Sequence, residues 1–508
     1  MSFEFHGDAD RLLVPSVKST SESLQQPLQS DKYKAIDEVH KAIRYILDLS
    51  PVASCPLASA MASSYPFETE KTQIHVRYIR NLLKLISYTP ELKGDVLALI
   101  CEKLVKIDVQ IQVEMDDIDE DQEDELLHQI ATADAEDGDM DCEVSDDESV
   151  ISDESDDSDN GRIQLLKDNL TKLDSLMAVM FDYYTTAVST INKAQVEDTF
   201  EQLLSSFTNA ILPTYRSRHI QFLIFHFAQG STDLTERFVG ALAQVTFDKT
   251  RPGLIQQAGA AYLASFVARG MHVPTDIVQN VIAFLGNQLD RLRELHEPGV
   301  RGPDLRKYGS YYATAQAILY IFCFRWQDLI IQQDDLAIDE DEVFYGETDF
   351  DWTSNIKGVL NRNIYSKLNP LKVCSPAIVT QFANVARQLR FMYVFPLLES
   401  NKRVRLAHIF GTSSEYRARN EGGVSIGSKV SDSMYQLDAY FPFDPYQLPK
   451  SKRWIEGDYK EWKSLSGDGS HQIEEVRNED SFSSDAVEEE DEDEEMANGV
   501  VQSDSESD

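Results

Sequence analysis

The sequence predicts an all-α fold of stacked antiparallel helix pairs, and three observations predict it. Apolar residues recur at steps of three to five along most of the chain, prolines part these runs at short intervals, and hairpin signals are missing. The pairs Asp137-Gly138, Asn160-Gly161 and Asp468-Gly469 could close hairpins, but they sit in polar tracts without alternating apolar flanks. With 508 residues and 42% apolar content the chain can bury a substantial core. No strict repeated motif is visible, so an irregular helical bundle stands as the alternative to a solenoid.

Residues 1–30 read as a polar N-terminal tail, and residues 31–113 as a first helical section. Its clearest stripe is Leu92, Val96, Leu99, Leu104 and Ile107, opened by Pro90 in a position suited to a helix start near Glu91. An acidic insertion at 114–161 follows, whose two helical neighbours are expected to stay adjacent because loop closure costs only about 0.6 kcal/mol per doubling of length. The second helical section, 162–400, carries three more stripes: Val196 to Ile211, Ile277 to Leu292 and Ile378 to Met392. Pro213 parts two of its helices, and Pro274 follows the run that ends in Arg269 and Gly270. Beyond it, 401–463 is an aromatic, proline-containing extension expected to strap its rings into grooves of the helical body, and 464–508 is an acidic tail.

The formal charge of −40 is local, not global. From Glu114 to Asp159 there are 23 acids and no base, and from Glu479 to Asp508 there are 14 acids and no base. The remainder carries 50 acids against 47 bases and is nearly neutral. Dense like charge cannot be buried, so both tracts are expected to be solvated and disordered, to favour basic protein targets, and to oppose strong direct nucleic-acid binding. The five cysteines are odd in number and widely spaced, as expected of reduced thiols inside a cell. The N-terminus lacks the pattern of a secretory signal, and the apolar run Tyr311 to Phe324 is shorter than the ~20 residues of a membrane span, so it reads as a buried core helix.

No motif for catalysis, cofactor or metal is present. There is no Walker-type glycine loop, no Gly-x-Ser-x-Gly, no two cysteines within four residues, and no pairing of His75, His219 or His226 at metal-ligand spacing. An enzyme is not expected. The recurring chemistry is phosphate acceptance: Ser145, Ser503 and Ser505 each have an acid three residues downstream, the context preferred by casein-kinase-type enzymes, and Ser152 is likewise set among acids. The basic clusters Lys450, Lys452 and Arg453, and Lys402 to Arg405, serve equally as nuclear import signals, tail-docking patches or plain solvated faces.

The segment His75 to Asp121, whose helix pair ends in Ile107-Asp108-Val109-Gln110-Ile111-Gln112 and runs into the acidic insertion, resembles the RNA polymerase I-specific initiation factors of the TIF-IA family. The resemblance continues, in order and spacing, at Leu173–Tyr184, Tyr215–Phe227, Ala260–Gly270, Phe322–Trp326 and Tyr440–Ile455, covering roughly residues 33 to 463. It implies a HEAT-type α-solenoid without catalysis, located in the nucleus and nucleolus. Such a factor would bridge RNA polymerase I, through its stalk subunits, to the core promoter factor on ribosomal DNA. It would be regulated by casein-kinase-type and other kinases, and found as a homodimer when free. Family members carry further helical repeats before the position of Tyr33, together with a serine-rich polymerase-binding patch. Of that patch only Ser50 and Ser54 fall near, and helix capping serves them equally. Arg269 matches a residue on the promoter-factor side, while Gly270 and Met271 stand where a small and a basic residue are expected; a helix-terminal arginine also suits the helix dipole. The same composition, without the resemblance, would fit a nuclear transport or chaperone-like scaffold for basic cargo.

Overall fold

Stripe spacing translates directly into helices in the computed structural model, which describes residues 25–115, 157–189, 192–214, 217–331, 350–403 and 436–462. The first helices are α1 (Gln25–Leu49), α2 (Ser54–Ser63), α3 (Thr72–Ile86) and α4 (Lys93–Met115). Pro90 opens a 3-10 turn, Pro90–Leu92, that feeds α4, as its fixed φ and missing N–H favour. After the acidic tract come α5 (Asp157–Val188), α6 (Lys193–Ser206), α7 (Phe222–Ala228), α8 (Thr232–Phe247), α9 (Gly253–Arg269), α10 (Thr275–His296) and α11 (Leu305–Arg325). The body ends with α12 (Ile356–Ile364), the single turn α13 (Pro370–Val373), α14 (Pro376–Gln388) and α15 (residues 395–403). Among the described residues there is no strand, only the isolated bridges Gly270 to Tyr459 and Ile330 to Trp352.

Successive helices pack against one another: α8 on α9, α9 on α11, α10 on α11, α10 on α12, and α11 on α14. This succession is the solenoid-like arrangement expected of stacked pairs. One contiguous core runs through it. Helix α11 lies at its centre, with Tyr311, Tyr312, Ile318, Leu319, Ile321 and Phe322 almost wholly inaccessible. No helix among the described residues is long and apolar enough to cross a membrane. Helices α4 and α5 touch each other directly, so the acidic tract between them leaves and rejoins neighbouring elements. The expectations for the tract itself, and for the tail beyond residue 463, lie outside the described residues, as do those for residues 1–24.

Two stripe residues depart from expectation. In α10 the buried face is Ile277, Val278, Val281, Ile282, Leu285 and Leu289, whereas Phe284 stays 39% exposed and only meets Phe247 edge-on at 5.4 Å. Met392 lies beyond α14, because Leu389 caps that helix and Arg390 turns left-handed with φ 51°. The amide of Phe391 then closes back on the Ala386 carbonyl at 2.9 Å, a helix-ending geometry that drives Phe391 into the core. The stripe of α6 continues smoothly, since a π-helical turn at Phe207–Ile211 widens the register just enough to keep Phe207 and Ile211 buried before Pro213.

Candidate interaction surfaces

Asp108 shows why an acid stands inside the most specific apolar element of the sequence. Its side chain is fully buried, and its Oδ2 accepts the amides of Arg218, His219 and Ile220 at 3.1, 3.0 and 3.2 Å. Its Oδ1 meets His219 Nδ1 at 2.8 Å. Burial pushes its pKa upward, but the His219 pairing and the backbone amides outweigh this and hold the carboxyl below its ordinary range. Asp108 therefore pins α4 to the turn that leads into α7.

A second buried acid does the same for the C-terminal extension. Asp174, on α5, accepts the amides of Lys450 and Ser451 at 2.8 Å each and the hydroxyl of Ser451, which also bonds the Tyr446 hydroxyl. These bonds hold the one-turn helix α16 (Pro449–Lys452) against α5. Ser451 is buried, while Lys450, Lys452 and Arg453 are exposed, Arg453 lying over the Trp454 ring at 4.0 Å. The import-signal candidates are thus presented on a pinned helical turn.

The extension runs over the body with its rings inward. Phe441 stacks on Tyr320 at 3.7 Å, Phe443 packs against Phe225, Tyr262 and Phe266, and Tyr446 against Phe222. Its backbone is held by Gln221 to the Pro442 carbonyl at 2.7 Å, by the Phe443 amide to Ser265 at 3.0 Å, and by Gln316 to the Asp438 carbonyl at 2.9 Å. Burial drives the phenols of Tyr440 and Tyr446 well above their ordinary range, so they act only as neutral hydrogen-bonding groups.

Where this extension meets the end of α9 sits Arg269. Its guanidinium lies 4.4 Å from the Phe324 ring centre and 5.2 Å from that of Tyr459, and Nε donates to the Tyr320 hydroxyl at 3.1 Å. Burial opposes its charge, yet Tyr320, Tyr459 and Asp444 around it hold its pKa above the ordinary arginine value. Its carbonyl accepts the Lys460 amide at 2.7 Å, and the Met271 amide donates to the Asp458 carbonyl at 2.8 Å. Asp458 in turn meets His226 at 2.5 Å and His272 at 3.3 Å. A Cβ at position 270 would come within 2.6 Å of Val273 and 2.9 Å of the Phe266 carbonyl, so glycine suits this turn. Arg325 completes it from below, donating to the carbonyls of Gly270 and Val273 at 2.9 and 2.7 Å. Arg269 faces inward; Met271 and the His272 side chain are what the turn exposes.

Ser50 and Ser54 lie far along the chain from this clasp, at the junction of α1 and α2. Ser50 is exposed and makes no side-chain cap, and the Ser54 hydroxyl donates to the Pro51 carbonyl at 2.9 Å, so neither hydroxyl accepts a helix N–H as a cap would. Tyr45, Ile46, Leu49 and Val52 beside them are all more than half exposed. Ser145, Ser152, Ser503 and Ser505 lie outside the described residues, as do Val404 and Arg405 of the second basic cluster. Among the described residues no cluster of acids, histidines or cysteines has the makings of a metal site. Sequence reasoning singled out Arg269 and the basic turn, but it missed the carboxylates Asp108, Asp174 and Asp458. For Asp108 and Asp174 the available signal was an acid inside an apolar helical run, which is tolerated only when hydrogen-bonded; Asp458, in the polar turn at residues 456–460, carries no such mark.

Residues 10–467 match the family model described as RNA polymerase I specific transcription initiation factor RRN3. The chain is 31% identical to RNA polymerase I-specific transcription initiation factor rrn3 of Schizosaccharomyces pombe, over 85% of this chain and 67% of that protein. It is 26% identical to the RRN3 factor of Saccharomyces cerevisiae, over 84% and 71%, and 27% identical to that of Mus musculus, over 87% and 63%. The chain thus spans about two thirds of the length of these relatives. In fold it is similar to the crystal structure of RNA polymerase I transcription initiation factor Rrn3, with a TM-score of 0.64 and 24% identity, over 89% of this chain and 76% of the other.

Proposed function

Because this chain belongs to the family of RNA polymerase I-specific transcription initiation factors, a non-enzymatic family with a nuclear role in initiation by that polymerase, we propose that it works as an adaptor bridging the polymerase to the promoter. One face binds RNA polymerase I through its stalk subunits, and another binds core promoter factor subunits on ribosomal DNA, in the nucleolus. The observation that carries this reading is the family match across the whole helical body and its C-terminal extension.

Within this reading the polymerase side includes Ser50 and Ser54, where a phosphate of about −2 charge would add repulsion and desolvation to an apolar contact. The promoter-factor side is the turn Gly270–His272, whose shape Arg269 maintains from behind. Casein-kinase-type enzymes act on Ser145, Ser152, Ser503 and Ser505, and the turn carrying Lys450, Lys452 and Arg453 serves nuclear import. The free factor forms a homodimer. Affinity purification from nuclear extract tests the proposal: enrichment of polymerase I stalk subunits supports it, whereas importins, histones or ribosomal proteins alone would favour a transport or chaperone scaffold. Exchange of Arg269 for Glu that leaves promoter-factor binding intact would remove the Arg269 assignment.

A further inference from the structure

In a chain of formal charge −40, residues 361–403 carry seven basic residues and a single acid, Glu399. This segment forms α12 to α15 at the C-terminal end of the helical body, and it exposes two tyrosines together with most of its cations. Tyr365 and Tyr393 are 57% and 64% exposed, and the Tyr365 hydroxyl donates to the Tyr393 carbonyl at 3.4 Å. The Tyr393 ring lies 5.6 Å from that of Phe395, over which the exposed Arg387 stacks at 5.3 Å. Asn401 bonds Asn369 at 2.8 Å, which brings the exposed Lys402 and Arg403 to the same end.

Two of the seven cations are already engaged, Arg362 with Asp290 at 2.5 Å and Lys402 with Glu399 at 3.9 Å. Among the described residues no carboxylate lies within ion-pair distance of Lys367, Arg387, Arg390 or Arg403. Arg390 is also held with φ 51°, a conformation that glycine or asparagine adopts more readily.

We propose that this face, Tyr365, Tyr393, Arg387 and Arg390 with Lys402 and Arg403 at its edge, docks an acidic peptide segment of a partner protein in which carboxylates alternate with aromatic or long apolar side chains. Exposed tyrosine beside arginine is the composition of an interface hot spot. Charge complementarity selects the carboxylates, and the two rings select the apolar side chains between them. Nucleic acid fits less well, because a handful of cations neutralises too few phosphates against the repulsion of a strongly acidic chain.

The test is fluorescence anisotropy with the full chain and a labelled peptide in which Asp-Glu pairs alternate with Phe and Leu. Comparison probes are a poly-Glu peptide of equal length and a single-stranded oligonucleotide of equal charge. The alternating peptide should bind best, and high salt should weaken it several-fold. R390E/R403E and Y365A/Y393A should each reduce binding at least tenfold, while K450E/K452E leaves it unchanged. Melting curves check that the variants fold; should they not, R390Q/R403Q and Y365F/Y393F, which keep size and rings, must weaken and preserve binding respectively. Tighter binding of the oligonucleotide would overturn the proposal in favour of a nucleic-acid face. Binding that appears only after residues 470–508 are removed would assign the surface to an acidic tract of the chain itself. Unchanged affinity in folded R390E/R403E would remove the site altogether.

Discussion

At the scale of single residues the main stabilising decisions are buried charges that find partners. Asp108 takes three amides and a histidine, so its removal leaves donors stranded in a dry interior. Asp108→Ala should cost about 3–5 kcal/mol, as when one partner of a buried pair is deleted, and denaturant unfolding would measure it. The pH dependence follows from the lowered folded pKa. An unfolded aspartate titrates near 3.9, so the Asp108 contribution is complete above about pH 4 and is lost as pH falls through the lower folded value. Acid unfolding of Asp108→Asn should lack that component, and an unchanged profile would argue against the assignment. Thiols give a parallel test. Burial pushes Cys101 up to about 12 and raises Cys323 and Cys374 as well, whereas Cys55 is exposed. Of these four, only Cys55 should be alkylated rapidly at pH 8 in the native protein, with the other three following in denaturant; peptide mapping reads the sites.

At the scale of elements the decisive piece is the C-terminal extension, which has little regular structure and yet fills the groove over α7, α9 and α11. Its backbone bonds to side chains, and its rings supply the burial. Truncating Phe443, which is fully inaccessible, should cost about 3–5 kcal/mol. Asp174→Ala should act more locally, freeing α16. Trypsin cleavage after Lys450, Lys452 and Arg453 should then accelerate at least tenfold in a time course of the native protein, and equal rates would deny the pin. The helices were legible because a 3.6-residue period survives in sequence, and the rings of Tyr440 to Trp454 marked a strap for the same reason that they need burial. What escaped was three-dimensional. Phe284 sits on the helical stripe but at its solvent edge, and Met392 lies past a left-handed turn that no period announces. The partners of Asp108 and Asp174 lie 111 and 277 residues away in sequence, beyond the reach of any local pattern. Arg269 is marked in sequence only by the family resemblance of its segment, whereas its inward cage joins two other elements, Tyr320 and Phe324 from α11 and Tyr459 from the extension.

For the molecule as a whole, a nearly neutral helical body carries dense acidity in separate stretches of sequence, so its surfaces can be tuned by charge without disturbing the core. The α1–α2 junction is where this is most directly testable. Tyr45, Ile46, Leu49 and Val52 present apolar area there, more than half exposed in each case, with Ser50 between them and Ser54 two residues beyond. A carboxylate placed among those side chains removes no cap, because neither hydroxyl makes one, and buries nothing in the free protein. In a close contact with polymerase the same charge must be desolvated without a partner. The double variant S50E/S54E should therefore melt within about 1 °C of the parent protein, since exposed substitutions seldom exceed ±0.5 kcal/mol. Its capture of RNA polymerase I should nevertheless fall at least tenfold, or about 1.4 kcal/mol. S50A/S54A should retain full capture. If the glutamate variant bound polymerase as well as the parent does, the contact would have to lie elsewhere on the helical body, and the exposed apolar cluster would need a different occupant.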